Sequence, residues 1–448
     1  MANQSNKMKP MDAILMSVGA IIGAGVFSMT GVAVGAAGPG VPISFLIAGL
    51  AAMMVNLPYM VVSSALPARG AQYLHVARFV SPLFGFLLVW NLVLECIYLS
   101  VLGISAGQYL PAIIPALTPK MAGAITVIGL TGACLLNVKT SAKVQNAMVI
   151  LVLVALALFV AMGIPYMKYW SFKDMFSVKG LAGILVGVSY VRSAAYGGTA
   201  VVNLAGEIEN AGRTVPRSIA VSTMGVSLLY ALVAMVAVGV VPWEQMIQQP
   251  LSVAAKAYMP SWAFNFFVIG GALFAVLTTI LAFLMDISRA IWAAADDGMF
   301  PEWLKATNKY GVPYRIIIIM GAIGLTPILL ALPLDYVFAV LNAPGMLLGL
   351  LATLPALVAP SKLPKKFEQA WFKMPTWLTW TLVLANIGLT FFLSYNLFLT
   401  LTLPTILGIV AFYGGGILYF YLRVNKLKNE GTNLIEEMSA YDPSWVSE

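Results

Sequence analysis

Two short stretches decide the reading of this chain: Gly19-Ala20-Ile21-Ile22-Gly23-Ala24-Gly25-Val26-Phe27 and Ala195-Tyr196-Gly197-Gly198-Thr199. Each lies near the middle of a long apolar run, residues 13–37 for the first and 181–205 for the second. Glycine costs a helix about 1 kcal/mol relative to alanine and opens non-helical backbone angles. Glycines clustered in mid-run therefore predict two interrupted helices. One cluster alone reads as close helix packing. Two, at corresponding places in two halves, read as an inverted-repeat carrier with its site between the breaks. A break frees N–H and C=O groups where no water satisfies them. The N–H groups that begin a half-helix favour a carboxylate, and freed carbonyls accept from an ammonium. Such a pair can hold a zwitterion without any charged side chain.

The composition sets the surroundings of those breaks. The chain has 448 residues, of which 60% are hydrophobic and only 9% charged. Soluble domains carry about 25% charge, so this chain cannot cover a water-facing surface. An ordinary soluble enzyme, a disordered chain and a coiled coil are excluded; a polytopic all-α membrane protein remains. Twelve apolar runs are long enough to cross a bilayer: 13–37, 42–66, 82–109, 121–137, 144–164, 181–205, 218–241, 262–295, 314–332, 336–359, 377–396 and 403–423. The first is not a signal peptide, because no small-residue cleavage site ends it and eleven more runs follow. None alternates apolar and polar residues as a barrel strand would. Cys96 and Cys134 both lie in apolar runs and make no disulfide framework. A single histidine, His75, leaves no basis for a metal cluster or a nucleophile–base pair, so no metal, no cofactor and no catalytic residue is expected.

Lys and Arg give the orientation. With the N-terminus inside, eighteen of the 25 fall in cytoplasmic segments, five outside, and Arg192 and Arg289 within spans. This bias places both termini in the cytoplasm of a multi-pass cell-membrane protein. It also explains the net charge of +8 without nucleic acid. The expected divisions are a cytoplasmic N-terminus (1–12), a first five-helix repeat (13–164), a second, inverted one (181–359), two further helices (377–424) and a cytoplasmic tail (425–448).

Several motifs resemble those of the amino acid–polyamine–organocation superfamily. The first break resembles its G-x-x-x-G-[SA]-G-[IV]-F motif. Pro67-Ala68-Arg69-Gly70-Ala71-Gln72-Tyr73 resembles its loop between spans two and three. Glu209-Asn210-Ala211-Gly212-Arg213-Thr214-Val215-Pro216 resembles its E-x-x-N-P-x-R-x-[LIV]-P pattern, with Ala211 where proline is usual. Ser288-Arg289, Ala295-Asp296-Asp297-Gly298-Met299-Phe300-Pro301 and Gly311-Val312-Pro313 resemble the stretch after span eight. The resemblance implies a LeuT-like fold of two inverted five-helix repeats plus two helices. It implies a secondary transporter of amino acids or their derived amines, often an exchanger, as monomer or homodimer. It also implies site residues. Ala24 and Gly25, next to the site residue Gly23, would offer N–H groups to a substrate carboxylate. The carbonyls of Ile21 and Tyr196, beside Gly197 and Gly198, would take the ammonium. Glu95, Cys96, Ser100 and Phe283 would face the substrate side chain. Some proton-coupled members carry a lysine in span five; aligned on Lys139, that position is Val152 here, which argues for exchange or facilitated transport. Thr278 and Thr279 in span eight are hydroxyls alone and do not establish a sodium site.

Four ionisable residues fall inside spans: Glu95, Arg192, Asp286 and Arg289. Charge at the bilayer centre costs about 2.5–3.5 kcal/mol on insertion scales, so each needs a partner or a task. Arg289 reads as a structural or inner-gate residue, with Asp286 at i−3 as its partner. Asn91, Glu95 and Tyr98 form a polar stripe on span three. Glu95 has three readings: contact with a cationic substrate, a proton site in a carrier of neutral amino acids, or an ion pair with Arg192. Arg192 could instead meet an acidic substrate. An ion channel would show charge rings or filter motifs, and neither is present.

Overall fold

The computed structural model describes residues 7–110, 114, 116–136, 138–169, 172–192, 194, 197–330, 334–398, 401–439 and 446. Among them the chain is helical, and its bridges are isolated ones. The first apolar run is two helices, α1 (Pro10–Ile21) and α2 (Ala24–Ala37), parted at Ile22 and Gly23. Then come α3 (Val41–Ala65), the short α4 (Ala71–Phe79), α5 (Pro82–Glu95) and α6 (Tyr98–Tyr109). The third run thus tightens to i→i+3 bonding around Cys96 and Ile97, both of which keep right-handed helical angles. Next come α7 (Pro119–Cys134), whose first turn is capped by Thr118 Oγ1 accepting from Met121 N–H, and α8 (Val138–Gly163). A short α9 (Phe172–Ser177) leads into α10 (Gly180–Val191). The sixth run does not continue as α-helix; it resumes at Gly198–Val201 as one 3-10 turn, with another at Ala205–Glu207.

The second half holds α11 (Ala211–Val240), α12 (Ser252–Tyr258) and α13 (Ser261–Phe266), then a π-helical segment, Phe267–Leu273, that opens into α14 (Phe274–Asp296). After it lie α15 (Tyr314–Leu330), α16 (Leu334–Leu351), α17 (Pro355–Lys362), α18 (Pro364–Gln369), α19 (Thr376–Phe398), α20 (Leu403–Asn429) and α21 (Leu434–Ser439). Seven helical stretches among the described residues are long and apolar enough to cross a membrane, and shorter apolar helices include α1, α10 and α15. The protein is therefore a polytopic, all-helical membrane protein. Leu384, Leu407, Leu418 and Leu422 are exposed because hydrocarbon is their solvent.

Small residues let the helices close in. Gly49 of α3 lies against Ser227 of α11, where a Cβ would stand 2.3 Å from the Ser227 Cβ. Two turns further along α3, Asn56 donates to Thr223 Oγ1 at 3.0 Å. α2 packs on α10, and α1 packs on α8, α11 and α14. The two interrupted helices are thereby neighbours in the middle of the bundle.

Candidate functional site

At the first break Ile22 has φ −79° and ψ 86°, and Gly23 has φ −108° and ψ −160°, so the helical bonds stop there. Gly23 has no side chain with which to cap α2. The first N–H groups of α2, at Ala24 and Gly25, therefore begin a helix whose positive dipole end is uncapped. Gly23 and Gly25 both keep partial exposure. At the second break Gly197 has φ +121°, a conformation that favours glycine. A Cβ there would stand 2.5 Å from the Ala20 carbonyl oxygen. A Cβ on Gly25 would stand 2.8 Å from Ala194 Cβ, and one on Gly198 would stand 3.5 Å from Ile21 Cδ1. The glycines of both breaks thus allow main chain to approach main chain. Tyr196 lies outside the described residues.

One carbonyl differs from expectation. Ile21 C=O already accepts from Gly23 N–H at 2.9 Å and from the Tyr230 hydroxyl at 3.3 Å. Both lone pairs are occupied, which displaces Ile21 from the ammonium role. The carbonyls of Gly19 and Ile22 instead meet α14: Thr279 Oγ1 lies 3.4 Å from each, and Thr278 Oγ1 lies 3.4 Å from Ile22 O. Both hydroxyls lie closer to Ala275 O, at 2.8 and 3.0 Å, where their protons are donated. Five oxygens converge there.

The side-chain half of the site lies across α5, α6 and α14. Glu95 Oε1 accepts from Asn91 Nδ2 at 2.6 Å, and the Tyr413 hydroxyl holds Asn91 by donating to its Oδ1 at 2.6 Å. Gly345 of α16 leaves room over the carboxylate; a Cβ there would lie 3.2 Å from Glu95 Oε1. The expected pair between Glu95 and Arg192 does not form, and among the described residues Glu95 enters no ion pair. Arg192 is buried just past the end of α10. The rings of Phe283 and Tyr98 are 5.8 Å apart. Ser100 is buried and spends its proton on Ile97 C=O. Cys96 faces elsewhere: it lines an all-apolar cavity with Val93, Ile291 and Met320.

The pairing of Asp286 with Arg289 is also corrected. Asp286 Oδ1 accepts from Asn203 Nδ2 at 2.8 Å, within electrostatic reach of Glu95. Arg289, 1% exposed, makes a fork to Glu207, with Nε to Oε1 at 3.1 Å and Nη2 to Oε2 at 3.2 Å. Arg69 reaches the same oxygen, Oε1, at 3.0 Å, and its guanidinium stacks on Trp292 at 4.2 Å. Burial alone would raise the Glu207 carboxyl; the charges of Arg289 and Arg69 outweigh it, and the group lies below its ordinary range. Main chain reinforces this tie. Met8 N–H donates to Glu207 C=O at 2.8 Å, Glu209 N–H to Met8 C=O at 3.0 Å, and Gly70 N–H to Asn203 C=O at 2.8 Å. Gly70 needs its φ of +72° there, since a Cβ would stand 2.7 Å from Arg289 C=O. On this side the N-terminal segment, the turn before α4 and the end of the sixth run are knitted shut. Sequence reasoning passed over Glu207; its one signal was a place two residues before the Glu209-Asn210 motif.

Comparison with known proteins agrees with this architecture. The amino acid permease family matches residues 9–418. The chain is 30% identical over 328 residues to the branched-chain amino acid permease BcaP of Bacillus subtilis, covering 68% of this chain and 70% of that one. It is 28% identical over 332 residues to the methylthioribose transporter of the same organism, covering 69% and 71%. It is 29% identical over 360 residues to cationic amino acid transporter 4 of Mus musculus, covering 73% and 55%. With a match running through both broken helices and nearly to the end of α20, the chain belongs to the amino acid permease family of the amino acid–polyamine–organocation superfamily.

Proposed function

We propose that the protein is a secondary transporter that carries an amino acid, or an amine derived from one, across the cell membrane by alternating access. In this reading twelve spans form two inverted five-helix repeats, 13–164 and 181–359, with two further helices and both termini in the cytoplasm. The observation that carries it is the uncapped start of α2 at Gly23, set inside the bundle with the main chain of Gly197 against Ala20. A substrate carboxylate completes the orphan N–H groups of α2. The ammonium falls to the carbonyls of the second break, where Tyr196 stands. The substrate side chain extends toward Phe283, Tyr98 and Glu95.

Glu95 sets the substrate class. Its carboxylate is positioned by Asn91 and faces no cation of the chain among the described residues, so a positive charge must come from substrate or from a proton. A basic amino acid or diamine supplies it directly; a neutral amino acid requires Glu95 to be protonated. The test is uptake into liposomes with competition by lysine, ornithine, putrescine, alanine and leucine, repeated for Glu95→Gln. Selective loss of the dibasic substrates identifies substrate contact. Loss of pH sensitivity with neutral substrates retained identifies a proton site. Failure of every amino acid and amine to compete in the unmutated protein overturns the proposal.

Coupling has two readings. Val152 of α8 is buried and carries no charge, which supports exchange or facilitated transport without sodium. The oxygens of Gly19, Ile22, Thr278 and Thr279 favour the second, a sodium ion as co-substrate, since oxygen ligands suit hard cations. Uptake with sodium replaced by choline separates them, and Thr279→Val abolishes the sodium dependence if the second holds.

A further inference from the structure

The basic residues along one set of loops have a sufficient explanation in membrane topology when read one loop at a time. Five of them lie on two segments that the fold joins. Arg213 and Arg217 stand exposed on the first turns of α11; Lys365 and Lys366 stand exposed on α18, and Lys373 follows it. Trp371 joins the two segments, with the guanidinium of Arg217 4.8 Å and that of Arg213 5.9 Å from its ring centroid. Beneath, the Ser64 hydroxyl donates to Gly212 C=O at 2.7 Å and accepts from Phe372 N–H at 2.9 Å, which fixes one segment against the other. Phe367 packs into the apolar cluster of Val62, Leu66 and Phe79. The acids of the two segments are Glu209 and Glu368, so the face is positive overall. Trp371 stays 47% exposed, and Trp377 and Trp380, on the first turns of α19, are exposed beyond it. Tryptophan at a membrane boundary sits at headgroup depth.

We propose that this face binds the headgroup of an anionic phospholipid of the surrounding bilayer. Cations from two loops about 150 residues apart converge at the depth where exposed tryptophans mark the interface, and negative phosphate is what that juxtaposition complements. A topological bias requires bases on this side of the membrane; it does not require two of them to stack on a tryptophan from another loop. The site is independent of substrate, so it stands or falls separately from the transport reading.

The experiment is lipid retention by native mass spectrometry on the full chain, delipidated in detergent and titrated with phosphatidylglycerol or phosphatidylcholine. The parent retains phosphatidylglycerol in preference. Arg217→Gln, Lys365→Gln and Lys366→Gln together reduce that preference, by about fivefold for each charge removed. The pair Lys365→Gln and Lys366→Gln, on one exposed turn, carries the test if the triple variant does not fold. A control with Lys309→Gln, Lys426→Gln and Lys428→Gln retains phosphatidylglycerol like the parent. Unchanged retention in the lysine pair overturns the proposal. Equal loss in the control also overturns it, in favour of diffuse surface charge. Displacement by glycerol phosphate as effectively as by lipid overturns it in favour of a free-phosphate site.

Discussion

The two polar centres of the bundle are built from opposite materials. At the breaks, between α1 and α2 and before Gly198, polarity comes from main chain, and the neighbours are Gly, Ala and Thr. At the tie between Arg69, Glu207 and Arg289, polarity comes from three full charges and two segments of paired backbone. The difference follows from what each must do. In the proposed reading the breaks meet the zwitterion with the partial charges of helix termini, so its release leaves no full charge behind on the main chain. In the proposed cycle the tie lies at the end that opens to water, where full charges are tolerated because each ion is rehydrated when it separates. Neutral main chain thus lines the proposed path, and ions hold its end.

The comparison breaks first at Gly25. Gly25→Leu drives a side chain into Ala194 and over the start of α2, and substrate affinity is expected to fall at least about a hundredfold in protein that still folds. Scintillation proximity binding on purified protein measures it, and near-parental affinity would mean that the uncapped helix is packing alone. Next is the ionic centre. Glu207→Gln leaves Arg289 buried without its counter-charge and is expected to cost about 3–5 kcal/mol. Thermal unfolding in detergent reads the loss, and adding Arg289→Met recovers part of it if the two residues act as one unit.

A pH scan sharpens the contrast. His75, in the loop helix α4 next to the tie, is buried, with Nε2 2.8 Å from Leu66 C=O, and burial lowers its pKa from 6.5 to about 4. The folded protein holds this proton less readily than the unfolded chain. Stability is therefore complete above about 6.5 and is lost as pH falls toward 4, by up to about 3 kcal/mol. His75→Gln should flatten that part of the stability profile; an unchanged slope would assign it to other groups. The smallest effect belongs to Lys426, which meets Glu430 at 3.8 Å with both side chains more than half exposed. Lys426→Ala is expected to change stability by no more than about 0.5 kcal/mol, which shows that charge alone does not make a tie.

The sequence exposes these two centres unequally. Glycine leaves a visible mark, because a cluster of it inside an apolar run contradicts its surroundings; Gly23 and Gly197 are legible for that reason. Arg289 was also conspicuous, but helical spacing could nominate only a local partner, Asp286. Its true partner, Glu207, lies 82 residues away and reads as an ordinary loop acid. Cys96 entered through the family resemblance and not through spacing; here it lines an apolar cavity. Glu95 with Asn91, both on α5, kept the expected relation. What spacing conveys is neighbourhood within one helix, and what it omits is every contact made by crossing elements.

The bridge between Met8 and Ile208 has a consequence for how the protein is made. The partners of Met8, the Glu207 carbonyl as acceptor and the Glu209 N–H as donor, are synthesised two hundred residues after it. At about 5–20 residues per second that interval is roughly 10–40 s. Throughout it Met8 has neither of these backbone partners, so this bridge forms only after the sixth apolar run has been made.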